Sequence, residues 1–461
     1  MGRYKYTTSE KNINTVLGHQ NDQLKSISFP AASETDECIA NSESLLASLG
    51  YNLPKKGAAP HHGRQPLVIP SWNQILDDAL RAGKDVTQLE SLFTEDELEA
   101  NTIAVAALNE EYDQIHRLDP IDVTIAVGSG ILATVIDILL VGIPKKTPSG
   151  LRAGTLSNYI RDYFEERYPA DEMEKLANST KSKVPYDAQD NRNTTVHVEG
   201  LSAYYHRLLS LGHDPLLGLL FGTSDILTGK MTTIDKAGNI VSQAMECYTG
   251  RRETDVFVAL AKQILHFKSD VTTSMGLPVP LMAMFNLMQF GCIGEYEQTV
   301  AEIAQGMYFE GYDFIHFCSM SAPTALVEVT VRLCYAFKRI KEGAPLKDAI
   351  PLSTSREKNP KLATMLFTAH CVATAANAGK IAFTENPMAI NYPQWIAFAK
   401  YSYQQLKWVM LTKPAQRDTH VHQAIENDLC RTYADIHALF DVMYPETIVI
   451  DDPEPICRDD G

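Results

Sequence analysis

The sequence predicts a mainly α fold: a large multi-helical body with one small β-hairpin insert and a partly disordered N-terminal arm. Three observations carry this. From Pro70 onward apolar residues recur at helical spacing, helix-capping residues stand where that pattern begins, and only one stretch pairs two β-prone arms across a turn.

Residues 1–66 are rich in Ser, Asn, Gly and Pro and weakly periodic, which predicts a flexible arm. A helical region with an apolar helix at 122–143 is expected over 67–185. Ser71 is a natural N-cap after Pro70, Thr94 and Glu97 form a capping box, and a third helix is expected from Thr102 to His116. A helix over Leu156–Tyr168 precedes a polar, loop-like stretch, 178–198. Residues 197–345 form a helical core that starts with helical content over Leu201–Leu227. The hairpin is expected at Lys230–Val241, its arms meeting at Lys236-Ala-Gly-Asn239. Further helices are expected near 255–268, 280–290, 296–308 and 323–341, then at 360–378, 392–411 and 415–444 within a C-terminal helical region, 346–445. An acidic tail, 446–461, closes the chain.

At 461 residues, 45% hydrophobic and 21% charged, the chain can bury a sizeable core without resembling a polytopic transporter. A net charge of −16 with no basic block longer than a Lys or Arg pair repels nucleic acid. The polar N-terminus lacks the apolar core of a secretory signal, so a cytoplasmic, non-secreted protein is expected, and the eight scattered cysteines read as reduced thiols.

The segment Asp122–Pro144 is long and apolar enough to raise a membrane question. About 20 residues of helix rise roughly 30 Å, the thickness of a bilayer core. Between Val123 and Ile143 the only ionisable side chain is Asp137. Ala126, Gly130, Thr134 and Asp137 share one face, which predicts that this side packs on protein. Two readings stay open: a core helix with Asp137 hydrogen-bonded inside, or a single membrane helix whose Asp137 meets a protein partner. In the second, Lys145-Lys146 favours a cytoplasmic C-terminal side.

The richest polar constellation is Tyr204-Tyr-His206-Arg-Leu-Leu-Ser-Leu-Gly-His213-Asp214-Pro215, followed by His266 and Asp270 at i, i+4. Buried imidazoles and carboxylates need partners, and a divalent cation (Zn, Mn or Mg) is one. The metal set expected from the residues is therefore His206, His213, Asp214, His266 and Asp270, with Asp214 and Lys268 as catalytic groups and no organic cofactor. The order His206, His213-Asp214, Asp270 resembles the His…His-Asp…Asp pattern of HD-type metal phosphohydrolases, with the leading His only seven residues before the His-Asp pair. That resemblance implies a metal held by His206, His213, Asp214 and Asp270 that activates water against a phosphoester. The loop Asp270–Pro280, with its hydroxyls and Gly276, is expected to line a cleft able to take a small anion, with Lys268 beside it.

The resulting expectation is a membrane-associated helical protein with a metal-dependent hydrolase site for a phosphoester or lipid head group. Its alternative is a non-catalytic structural, effector or interaction protein. The sequence is compatible with a homo-oligomer.

Overall fold

The computed structural model describes residues 5–26, 41–42, 44–45, 48, 70–83, 86, 88–148, 150–273, 276–290 and 298–443. Most of the N-terminal arm, the His61-His62 pair and the acidic tail lie outside these residues. The architecture is mainly α with small two-stranded sheets. Its helices are α1 (Thr8–Ser26), α2 (Trp72–Arg81), α3 (Glu95–His116), α4 (Pro120–Ile136), α5 (Thr155–Arg167), α6 (Ala170–Ala177), α7 (His206–Leu209), α8 (Phe221–Thr228), α9 (Val256–Asp270), α10 (Val300–Phe309), α11 (Phe314–Lys341), α12 (Leu362–Thr384), α13 (Tyr392–Lys407) and α14 (Lys413–Met443), with a single helical turn, Leu346–Ala349, between α11 and α12.

The chain divides into two units, one of residues 1–114 with 414–461, the other of 115–413. In the first, α1 occupies part of the arm expected to be loose. Its start signal was there to read: Thr7 N–H donates to Glu10 Oε2 at 2.6 Å and Glu10 N–H donates back to Thr7 Oγ1 at 3.3 Å. The expected caps at Ser71 and Thr94 both form. No break precedes Thr102, however, because its hydroxyl bonds back to the Leu98 carbonyl and α3 runs through. Within this unit Tyr112 of α3 donates to Gln416 of α14 at 3.2 Å. Cys430 on α14 is disulfide-bonded, unlike the reduced thiols expected, whereas Cys247, Cys318, Cys334 and Cys371 are free.

In the second unit α4, α11, α12 and α13 form a bundle. Ala126 and Ala133 of α4, Val327 and Val331 of α11, Leu366 and Ala369 of α12 and Tyr401 of α13 share one core. Asp119 starts α4 as its N-cap, followed by Pro120, and a π-helical turn, Asp137–Val141, ends it. The small face packs as expected: a Cβ on Gly130 would stand 2.6 Å from the Ala369 carbonyl oxygen, so only glycine permits that approach. At one end Lys338 of α11 and Lys361 flank Asp122; at the other Lys380 of α12 and Asn391 hold Asp137. These pairs make α4 and α12 parallel to each other and antiparallel to α11 and α13. Pro323 lies inside α11 rather than starting it, its lost hydrogen bond outweighed by packing on both sides.

By length and composition two helical stretches among the described residues could cross a membrane, Glu95–Val141 and Phe314–Lys341, where the sequence had suggested one.

The rest of the unit is less regular. Besides the expected hairpin, β3 (Lys230–Ile234) with β4 (Ile240–Ala244), a second pairs β1 (Lys145–Thr147) with β2 (Gly150–Arg152). The helix expected over Leu201–Leu227 is broken into α7, a 3-10 turn and α8, and the stretch 280–290 holds only a 3-10 turn, Met282–Leu287.

Candidate metal centre

Three chain segments meet around His213. The first is α9, opened by Asp255, whose carboxylate accepts the Phe257 and Val258 amides. Its inward side carries Gln263, His266 and Asp270, the last two one helical turn apart. The second is the segment after α7. Ser210 bridges to Thr233 and the Leu211 amide donates to Thr232, so β3 holds the chain extended between α7 and His213, in keeping with the helix junction that Gly212 and Pro215 suggest at His213-Asp214. The third is the loop carrying Tyr186 and Asp187.

Tyr186 is fully buried, stands edge-on to His213 (5.1 Å between centroids) and His266 (5.5 Å), and donates its hydroxyl to Gln263. Its ring passes so close to the chain that a Cβ on Gly212 would lie 2.6 Å from it. Gln263 in turn donates to the Gly212 carbonyl at 2.7 Å, tying α9 to the His213 turn.

These segments bring five side chains into two overlapping groups that share His213. His206 Nε2 lies 3.2 Å and His213 Nε2 3.5 Å from Asp187 Oδ1. Asp270 Oδ2 lies 3.8 Å from His213 Nε2 and 3.4 Å from His266 Nε2. His206, His213 and Asp187 form one group with ligand-atom spacing, and His213, His266 and Asp270 form another. Ligands at 2.0–2.1 Å around one tetrahedral cation would stand roughly 3.3 Å apart, and these separations match that edge.

The protonation pattern fits such a role. His206 Nδ1 is 2.8 Å from the Ala203 carbonyl, which only accepts, so Nδ1 carries a hydrogen and the ring is held with Nε2 toward Asp187. Burial pushes His213 down to about 4, with His266 and His206 adding to the fall, leaving it a neutral imidazole at neutral pH. Burial pushes the Asp187 carboxyl up, but His206 and His213 beside it hold it well below the ordinary value, so it is an anion. The Nε2 atoms of all three histidines and Asp270 Oδ2 are buried and make no hydrogen bond. Lone pairs facing carboxylate oxygens at these distances repel unless a proton or a cation stands between them.

Of the residues expected to bind metal, His206, His213, His266 and Asp270 converge. Asp214 does not join them: its Oδ1 accepts the Leu216 and Leu217 amides at 3.0 and 2.9 Å, so it caps its own turn, and burial raises its carboxyl. This departs from the HD-type pattern, which implies both residues of the His-Asp pair on the metal. Lys268 is exposed on α9 and lies over the Tyr168 ring, away from the cluster. Asp187 was missed because it sits in a stretch read only as a loop; the juxtaposed Tyr186-Asp187 in polar sequence carries no spacing signal.

Asp187, His206 and Asp270 line a cleft of about 620 Å³ together with Arg207 and Thr273. The Arg207 guanidinium bonds Asp270 Oδ1 (3.1 Å), Thr273 Oγ1 (2.7 Å) and the Gly276 carbonyl (3.0 Å). The loop after Asp270 does line a cleft, of about 310 Å³. Its hydroxyls are largely committed internally, Thr272 to the Tyr168 carbonyl and Thr273 to that of Asp270.

No family model, curated protein or solved structure matches the chain.

Proposed function

We propose that this protein is a metal-dependent hydrolase acting on a small anionic ester, a phosphoester or a lipid head group, at a membrane. The observation that carries the reading is the convergence of three buried imidazole Nε2 atoms, none with a hydrogen bond, on the buried Asp270 and half-buried Asp187 carboxylates. His206, His213, His266, Asp187 and Asp270 would hold a divalent cation, and a nitrogen-rich set with hard oxygens suits Zn or Mn better than Mg. A cation there would lower the pKa of a bound water and supply the nucleophile. Arg207 orients Asp270 from the far side, as outer-shell partners of metal ligands do, and brings positive charge to the cleft for an anionic substrate. Membrane association belongs to the reading through the apolar outer side of α4, with Lys145-Lys146 on the cytoplasmic side.

The test is elemental analysis of the purified full-length chain, followed by hydrolysis assays on phosphomonoester and phosphodiester substrates after loading with Zn, Mn or Mg. About one metal per chain, lost in His206→Ala and His266→Ala with the fold retained, is expected. A folded protein that binds none of these ions would remove the reading. Metal without turnover would turn it into a structural site.

A further inference from the structure

We infer that the outer face shared by α4, α11 and α12 is where this protein meets an anionic lipid bilayer, acyl chains against the helices and lipid phosphates at Lys145 and Lys146. The inference rests on the membrane part of the proposed function and widens it from one helix to a built face; it does not depend on the metal centre.

The bundle carries apolar side chains on its outside as well as in its core. On α11 the exposed positions Val329, Leu333, Phe337 and Ile340 recur at helical spacing as one apolar stripe. On α4 the exposed side chains are all uncharged, among them Ile131, Leu132 and Val135, continuing into Leu139 of the π turn. On α12 the outward positions are Cys371, Ala375 and Phe383, the last 91% exposed. The charges sit behind this surface, with Asp122 held by Lys338 and Lys361 and Asp137 by Lys380. Water is a poor solvent for such an exterior and hydrocarbon a good one, whereas paired charges sealed inside are what a lipid-facing bundle requires. From Val123 to Val141 a helix rises about 27 Å, close to a bilayer's apolar thickness.

Charge selects the occupant. In a chain of net charge −16, Lys145 and Lys146 stand exposed on β1 with no ion pair among the described residues. Lys145 borders the apolar face at the end of α4, and Lys146, next to it on the strand, lines a neighbouring cleft. Between that end, β1 and the end of α12 lies a cleft of about 820 Å³ lined by Ile138, Leu139, Lys145 and Phe383. Apolar walls with a basic edge match an anionic phospholipid, whose acyl chain and phosphate meet the two parts together.

Two native thiols provide the test. Cys371 lies exposed on the proposed face and Cys247 is exposed beyond β4. The purified full-length protein is mixed with phosphatidylcholine vesicles with or without phosphatidylglycerol, labelled with a membrane-impermeant maleimide, and read site by site by mass spectrometry. With phosphatidylglycerol, loss of Cys371 labelling with Cys247 unchanged is expected. Leu139→Asp with Phe383→Asp should reduce partitioning by roughly a hundredfold for each carboxylate placed in lipid. Lys145→Glu with Lys146→Glu should abolish the preference for anionic vesicles. Equal labelling of both thiols with vesicles present, or equal binding to neutral and anionic vesicles, would overturn the inference. So would protection of Cys371 without lipid in a sample that sediments as a dimer, which would give the face to a second copy. Metal content measured on the same samples separates the two readings: lipid binding lost with metal retained leaves the metal centre standing.

Discussion

The bundle and the metal-centre half both bury charge, but they satisfy it differently. In the bundle the Asp137 carboxylate is saturated, with Lys380 Nζ at 2.9 Å and Asn377 at 3.3 Å on one oxygen and Asn391 at 2.6 Å on the other. Around His213 the opposite holds: imidazole nitrogens and a carboxylate oxygen lie buried, within 4 Å of one another, and make no hydrogen bond. A saturated buried charge specifies packing, whereas an unsaturated cluster leaves its nitrogens and carboxylate oxygens to be joined by a proton or a cation.

The largest expected effect breaks the saturated side. Asp137→Leu leaves Lys380 buried without its anion and should cost about 3–5 kcal/mol in urea unfolding, with helix content by circular dichroism retained up to the transition. A loss below about 1 kcal/mol would mean that the Asp137 network contributes no more than a surface pair.

Metal removal tests the unsaturated side. If the cluster binds a cation, chelation should lower stability by about 4 kcal/mol when free metal had stood at a thousandfold over Kd, and His213→Ala should abolish the chelator effect. Equal thermal midpoints with and without chelator would place the cluster with the structural charges.

Asp225 gives an intermediate case. It accepts from the Thr232 amide (2.9 Å) and hydroxyl (2.8 Å) but forms no ion pair among the described residues, and burial pushes its carboxyl up to about 6 from the ordinary 3.8, with Lys230 opposing the rise. The folded state therefore prefers the protonated acid. Its contribution is full below about 4 and is lost as pH rises through about 6, to a total of roughly 3 kcal/mol. Unfolding followed between pH 4 and 7.5 should show this decline in the native chain and a flatter profile in Asp225→Asn.

The smallest effect sharpens the border of the cluster. Asp214→Asn keeps an oxygen for the Leu216 and Leu217 amides, so it should change stability by less than about 1 kcal/mol and leave metal content intact. Loss of metal in this variant would return Asp214 to the ligand set and restore the full HD-type pattern.

Some of this was legible without coordinates. The capping box at Thr94, the hairpin at 230–244 and the inward side of α4 follow from local chemistry and helical spacing. Small residues and a lone carboxylate on one face can be stable only against protein. His266 and Asp270 were likewise readable, because i, i+4 on a helix fixes their juxtaposition. Asp187 and the position of the break after Leu209 were not, although Gly212 and Pro215 do point to a helix junction at His213-Asp214 and His-Asp-Pro to a capping turn. Each is decided by a partner distant in sequence: Tyr186 against Gly212, Thr233 against Ser210, the α9 face against all of them.

The sequence by itself therefore determined the mainly α class, most of its helix starts and the small-residue face of α4, since these depend on spacing, caps and side-chain size within a few turns. Only the tertiary structure decided which buried charges find partners. Whether an imidazole is satisfied depends on atoms brought within about 3 Å from segments tens of residues apart, and no local pattern encodes that distance.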